Sequence, residues 1–174
     1  GAIGPALLAG NLWGETWFQV GAVAESIAVV GFAATYVTLY VRSDKRRVGF
    51  YGPLSGVIMG VAGIALGLSF AFVGIPHGGL HAHYRMNLLG FLGLTIVGVA
   101  YQFYPPSVGT FSGAGDRTAL VSILCLAVGV VVEVYGSLSG FDRVSTLGGS
   151  LALVGAGLYA YLLFSLFSER YGNR

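Results

Sequence analysis

The chain has 174 residues, of which 55% are hydrophobic and only 9% are charged. A soluble domain carries about 25% charged residues because its surface faces water, so most of the outside of this chain must face lipid. The formal net charge of +2 is small, and no basic patch is interleaved with aromatic residues. We therefore expect the lipid bilayer as the surroundings and no nucleic-acid partner.

Apolar runs dominate the chain, and each is long enough to cross a bilayer, which needs roughly 20 helical residues. The predicted spans are about Trp17–Val41, Tyr51–Ile75, Ala82–Tyr104, Thr118–Ser137 and Leu147–Ser168. The runs are continuously apolar and do not alternate, which excludes a transmembrane β-barrel. Backbone groups in hydrocarbon must bond to one another, which enforces helix. We predict an all-α polytopic bundle of about five helices, forming a single transmembrane domain over residues 1–174.

The basic residues predict the orientation of this bundle. Cytoplasmic loops carry an excess of Lys and Arg, and four of the nine basic residues lie between the first two spans. If this loop is cytoplasmic and the chain crosses the membrane five times, only Arg85 and Arg143 do not lie on the cytoplasmic side. The N-terminus is then outside and the C-terminus cytoplasmic, as in a multi-pass protein of the cell membrane. The basic residues placed inside are Arg42, Lys45, Arg46, Arg47, Arg117, Arg170 and Arg174.

All three histidines lie within one short segment, IPHGGLHAHYRMNLLGFLG, as His77, His81 and His83. The predicted topology places them at the outer face, where the third span begins. On a helix, His83 and Asn87 share one face at i, i+4, while His81 lies over Arg85 on another. His81 and His83 point about 200° apart. We therefore do not expect both to bind one metal while both are helical.

The histidine cluster is the main candidate for chemistry. Imidazole is a common ligand of copper, zinc and haem iron, and Met86 would add a soft thioether. The alternative is that the histidines are interfacial residues hydrogen-bonded to water and headgroups. The spacing is not a standard zinc motif.

Two carboxylates, Glu25 and Glu133, lie within predicted spans. Glu25 is about eight residues into the first helix, or roughly 12 Å below the outer surface, and Glu133 is close to the outer end of the fourth. An intramembrane carboxylate is costly unless it is protonated, paired or hydrated. We predict that the two act as ligands, proton carriers or counter-ions and pair with Arg85 or a histidine. For Glu133 the alternative is snorkelling to the interface.

Glycines form a stripe on one face of the second span, at spacings of three and four residues. Such a stripe predicts close packing against another helix. The alternative is a flat groove that accepts a macrocycle. The stripe consists of Gly52, Gly56, Gly60, Gly63 and Gly67.

The stretch from His81 to Pro105, HAHYRMNLLGFLGLTIVGVAYQFYP, resembles the haem-ligand helix of haem–copper oxidase subunit I. It is more similar to short subunit-I-like membrane proteins, with a motif of roughly H-x-H-x-x-x-N-L-x-G-F followed by G-x-x-Y-x-x-x-P. The resemblance implies that His81 or His83 is an axial ligand of a low-spin haem b. It covers about 25 of the 174 residues.

The chain lacks the further histidines with which the catalytic oxidase subunit binds its second haem and copper. We therefore expect that the isolated chain does not reduce oxygen and is not an enzyme of that kind. A second axial ligand would come from His77, the other motif histidine, Met86, Met59 or a symmetry mate. An isolated copper or zinc site is the other alternative.

These patterns predict a haem- or metal-binding membrane protein in respiratory electron transfer. Its ligands come from His77, His81 and His83, with Arg85 and Asn87 holding propionates or orienting an imidazole. We expect a homo-oligomer or a subunit of a larger membrane complex. The alternative function is a non-catalytic accessory subunit or a small membrane transporter.

Overall fold

The structure is a computed structural model that describes residues 14–44, 47–106 and 111–172. This part of the chain consists of helices and short connections, without a strand. In chain order the elements are α1 (Glu15–Arg42), a 3₁₀ turn (Val48–Phe50), α2 (Tyr51–Phe72), α3 (Gly79–Arg85), a π-helical stretch (Met86–Gly93), α4 (Leu94–Phe103), α5 (Asp116–Ser139) and α6 (Asp142–Gly172).

Within these residues, 5 helical segments are long and apolar enough to cross a membrane, which confirms the predicted all-α bundle. Most boundaries agree with the apolar runs, and the exceptions have local causes. α2 ends at Phe72, before the predicted Ile75, and Gly74 then turns the chain at a φ of +105°. α6 begins at Asp142, a full turn before the predicted Leu147, because Gly140 ends α5 with a φ of +71°.

The third span is a composite of α3, the π-helical stretch and α4. π-helical turns are rare and are frequently found at functional sites. Here the stretch begins directly after Arg85, so it follows the histidines and includes Asn87. A longer turn changes the direction of the side chains that follow it. Nothing in the apolar pattern of MNLLGFLG predicted this feature.

The glycine stripe of α2 packs against the third span, which confirms the packing prediction. A Cβ on Gly60 would meet the Phe91 ring at 3.0 Å, and one on Gly67 would meet His83 Cε1 at 2.6 Å. The macrocycle alternative was wrong, because side chains and backbone of the third span fill the groove. The contacts along the stripe are Gly52 with Leu94 and Gly98, Gly56 with Phe91 and Thr95, Gly60 with Phe91, Gly63 with Asn87, and Gly67 with His83.

α5 and α6 form the second close helix pair, and glycines on both helices allow it. A Cβ on Gly129 would overlap the backbone of Ala152, and one on Gly148 would overlap that of Glu133. The Ser122 hydroxyl donates a hydrogen bond of 2.8 Å to the Gly155 carbonyl. This approach buries the middle of α5 and encloses Glu133.

α1 packs more loosely than the other helices and is attached mainly to α2. The Gln19 amide donates to the Ala71 carbonyl at 3.2 Å near one end, and the Tyr36 hydroxyl donates to the Phe50 carbonyl at 3.1 Å near the other. Much of the remaining α1 surface is apolar and exposed, with Ile27 at 69%. Such a surface suits lipid contact.

The α5–α6 contact predicts the effect of one added methyl group. Gly148→Ala places a Cβ against the Glu133 backbone and should destabilise the fold by about 1–3 kcal/mol, the usual range for overpacking. Denaturant titration in detergent micelles measures this change. The matched control is Gly157→Ala on the same helix, where a Cβ meets nothing within 4 Å. Equal stability of the two variants would contradict the close contact.

Candidate functional site

The start of the third span directs its polar side chains toward two different helices, as their spacing predicted. His81 and Arg85 reach α5, where both contact Glu133. His83 and Asn87 lie beside α2, at Gly63 and Gly67. His81 and His83 therefore do not converge on one point.

Glu133 is the centre of the first group. Its Oε2 accepts a hydrogen bond of 2.6 Å from Arg85 Nη2, and its Oε1 lies 3.2 Å from His81 Nε2. The residue is only 6% exposed. The pairing of Glu133 with Arg85 and a histidine is therefore confirmed, and snorkelling of Glu133 to the interface was wrong.

This ion pair neutralises both charges and uses both carboxylate oxygens. A buried carboxylate without a partner is strongly disfavoured in a low-dielectric environment. Arg85 removes that penalty, and its own side chain keeps 32% exposure. The His81 side chain is 52% exposed and forms the exposed side of the group. The arrangement makes Glu133 the counter-ion of Arg85.

His83 is the centre of the second group. Its Nδ1 lies 3.0 Å from the carbonyl oxygen of Gly63. Because a carbonyl only accepts hydrogen bonds, Nδ1 is the donor in this contact, and in the neutral ring the lone pair is then on Nε2. Metal-binding histidines usually have this arrangement, in which one ring nitrogen donates to a carbonyl and the other is free to bind the metal.

Asn87 fixes the backbone beneath this imidazole. Its amide donates to the His83 carbonyl oxygen at 2.8 Å. The same amide nitrogen lies 3.4 Å from Nδ1 and 3.5 Å from Nε2 of the ring. With the proton on Nδ1, the Asn87 amide can donate only to Nε2, and at 3.5 Å this hydrogen bond is at the long limit and therefore weak. The predicted His83–Asn87 contact is confirmed.

A cavity of about 160 Å³ lies between α1, α2 and α3, and both Glu25 and His83 line it. Glu25 Oε2 is buried and has no hydrogen-bond partner among the described residues. Unlike Glu133, Glu25 is therefore not paired with Arg85 or a histidine. The cavity is lined by Phe18, Ala22, Glu25, Ile64, Gly67, Leu68, Phe70 and His83.

The remaining predicted ligands lie elsewhere. His77 is exposed in the turn before α3. Met86 packs against the buried hydrophobic core, and Met59 belongs to that core. In residues 14–44, 47–106 and 111–172, no group of three or more His, Cys, Asp or Glu side chains is placed to hold a metal ion. The predicted set thus separates into His83 with Glu25, His81 with Glu133, and His77 alone.

These donors fit a metal ion more readily than an enclosed haem. A cavity of about 160 Å³ has room for an ion with a few waters, each occupying about 30 Å³. Pockets for larger organic ligands are typically about 300–1,000 Å³. The cavity is therefore too small to enclose a haem. An imidazole and a carboxylate are suitable ligands for copper, iron or zinc.

Sequence reasoning missed two parts of this site. The Gly63 carbonyl orients His83, but a backbone acceptor has no residue-specific pattern. The wall of the cavity on α1, including Phe18, depends on how α1 sits against α2. The glycine stripe was the available indication, since it identified the α2 face that approaches the third span.

The fold and the site define a multi-pass helical membrane protein with two polar groups embedded at the start of its third span. No protein family, curated protein or solved structure matches the chain. The resemblance of residues 81–105 to oxidase subunit I therefore stays an expectation.

The Glu133 ion pair predicts a thermodynamic coupling. Glu133→Gln leaves the Arg85 cation without its counter-ion and should cost about 1–3 kcal/mol of unfolding free energy. Adding Arg85→Met removes the orphaned charge, so the double variant should lose less than the sum of the two single losses. Denaturant titrations of the four proteins in one detergent give the coupling energy.

Arg143→Gln is the control for this cycle, because Arg143 is exposed at the same end of the bundle. Its effect should stay within about 0.5 kcal/mol. Strictly additive losses in the double variant would show that Arg85 and Glu133 do not interact.

Proposed function

We propose that this protein binds a redox-active metal centre within the cell membrane and takes part in respiratory electron transfer, with His83 as its principal protein ligand. The observation that carries the proposal is the hydrogen bond between His83 Nδ1 and the Gly63 carbonyl, at 3.0 Å. It orients the ring and leaves the lone pair on Nε2, where a metal would replace the weak 3.5 Å contact with the Asn87 amide.

Glu25 is the second group that this proposal uses. Glu25 lines the same cavity as His83, and its buried Oε2 has no partner among the described residues. A metal cation would supply the counter-charge for this carboxylate when it is ionised. A bound copper or iron centre would supply the one-electron chemistry, whereas zinc would not, since it has no redox activity. The protein's own part is to hold the ligands, exclude water through Phe18 and Phe70, and fix the imidazole.

Two protein ligands do not complete a metal site. The remaining positions would be filled by water, by a second copy of the chain or by another subunit. This fits the expectation of a homo-oligomer or a larger membrane complex. Within the proposal, His81, Arg85 and Glu133 form a separate ion-pair group that stabilises the start of the third span, and His77 is a surface residue.

The test is the metal content and visible spectrum of the detergent-purified protein, isolated without chelators. We expect close to one copper or iron per chain. A Soret band would identify the iron as haem, and its absence would identify a non-haem centre. His83→Ala should lower the metal content at least tenfold, because loss of even a residue that only orients a ligand typically costs 10–100-fold in affinity.

His77→Ala is the matched control and should keep the metal, because His77 lies in an exposed turn outside the cavity. Circular dichroism of both variants checks that the helices remain. A wild-type preparation that is colourless and free of copper and iron would overturn the proposal. So would an His83→Ala variant that is folded and retains its metal.

A second candidate function is a small transporter, or an accessory subunit with an ion path, in which Glu25 carries a proton or a cation. The buried, unpartnered Oε2 of Glu25 favours it, since intramembrane carboxylates commonly belong to ion pathways. Ion flux into vesicles that is lost in Glu25→Gln, from a protein without metal, would identify this function.

A further inference from the structure

A second cavity lies at the opposite end of the bundle, beside the connection between α1 and α2. Its volume is about 340 Å³, and it is lined by Arg47, Phe50, Gln102 and Phe103. Phe50 belongs to the 3₁₀ turn before α2, and Gln102 and Phe103 end α4. Phe50 in this cavity and Gly67 in the cavity beside His83 are 17 positions apart along the chain, or roughly 25 Å at 1.5 Å per helical residue. The two cavities are therefore distinct.

The walls of this cavity combine a cation with apolar rings. Arg47 is exposed and makes no ion pair among the residues that the structure describes. Phe103 is 76% exposed at the end of a membrane span. The Gln102 amide donates to the Gly49 carbonyl at 3.3 Å and joins the two helix ends that form the cavity. A ligand that fits must carry negative charge at one end and an apolar body at the other.

We propose that this cavity binds an anionic phospholipid, with Arg47 at the headgroup phosphate and the rings of Phe50 and Phe103 against the glycerol and upper acyl chains. Arginine is well suited to phosphate oxygens because its guanidinium donates several hydrogen bonds in one plane. The volume of about 340 Å³ lies within the usual range for ligand pockets, about 300–1,000 Å³.

Charge at this end of the bundle supports the assignment. The sequence places Arg42, Lys45 and Arg46 next to Arg47, although Lys45 and Arg46 lie outside the described residues. Basic clusters beside membrane spans attract anionic lipids, and basic pockets between spans bind their headgroups. The predicted orientation puts this end at the cytoplasmic leaflet, where such lipids are enriched.

The experiment measures lipid binding to the purified full chain by native mass spectrometry, with phosphatidylglycerol and phosphatidylcholine of identical acyl chains. The anionic lipid should bind the wild-type protein about fivefold more tightly, and Arg47→Gln should remove that preference, since one basic residue contributes about a fivefold difference. Arg47→Lys should retain most of it. Phe103→Ala should weaken binding of both lipids.

Arg117→Gln is the matched control, because Arg117 is exposed in the first turn of α5 and does not line the cavity. It should bind phosphatidylglycerol as the wild-type protein does. Equal losses in Arg47→Gln and Arg117→Gln would show only general charge attraction and would overturn the proposal. Equal binding of the two lipids would overturn it as well. If soluble glycerol 3-phosphate at the same concentration displaced all of the bound phosphatidylglycerol, the cavity would be a site for soluble anions, and the lipid proposal would be rejected.

Discussion

The polar start of the third span governs the arrangement of the bundle. Lipid offers no hydrogen bonds, so polar side chains at this depth must find partners on neighbouring helices. α5 supplies the Glu133 carboxylate to Arg85 and His81, and α2 supplies the Gly63 carbonyl to His83. The third span is therefore held from both sides by directed polar contacts as well as by packing.

Glycine residues allow the helices to approach closely enough to make these contacts. The Gly63 and Gly67 positions on α2 allow Asn87 and His83 to lie directly against its backbone. On the other side, Gly148 allows α6 to press against Glu133. A larger residue at any of these positions would separate helices that have to exchange hydrogen bonds. The small residues and the polar residues thus act together, since close approach is what satisfies the polar groups.

The separation of His81 from His83 has a functional consequence. His81 is joined to a carboxylate that Arg85 already neutralises, whereas His83 lies at a cavity whose only carboxylate, Glu25, has an unpartnered oxygen among the described residues. One imidazole belongs to a complete ion-pair group, whereas the other shares a cavity with a carboxyl group that has no partner among the described residues. This contrast is the physical reason for proposing His83, and not His81, as a metal ligand.

The sequence by itself determined the membrane class, the helical content and the five spans, because low charge and continuous apolar runs have few physical solutions. Helical periodicity also placed His83 with Asn87 and His81 with Arg85, since these are local relations along one helix. Only the tertiary structure decided that Arg85 and His81 meet Glu133, that Glu25 shares a cavity with His83, and that the α2 groove is filled. Those outcomes depend on which helices are neighbours and on the π-helical stretch, and neither is encoded in the spacing of residues within a single span.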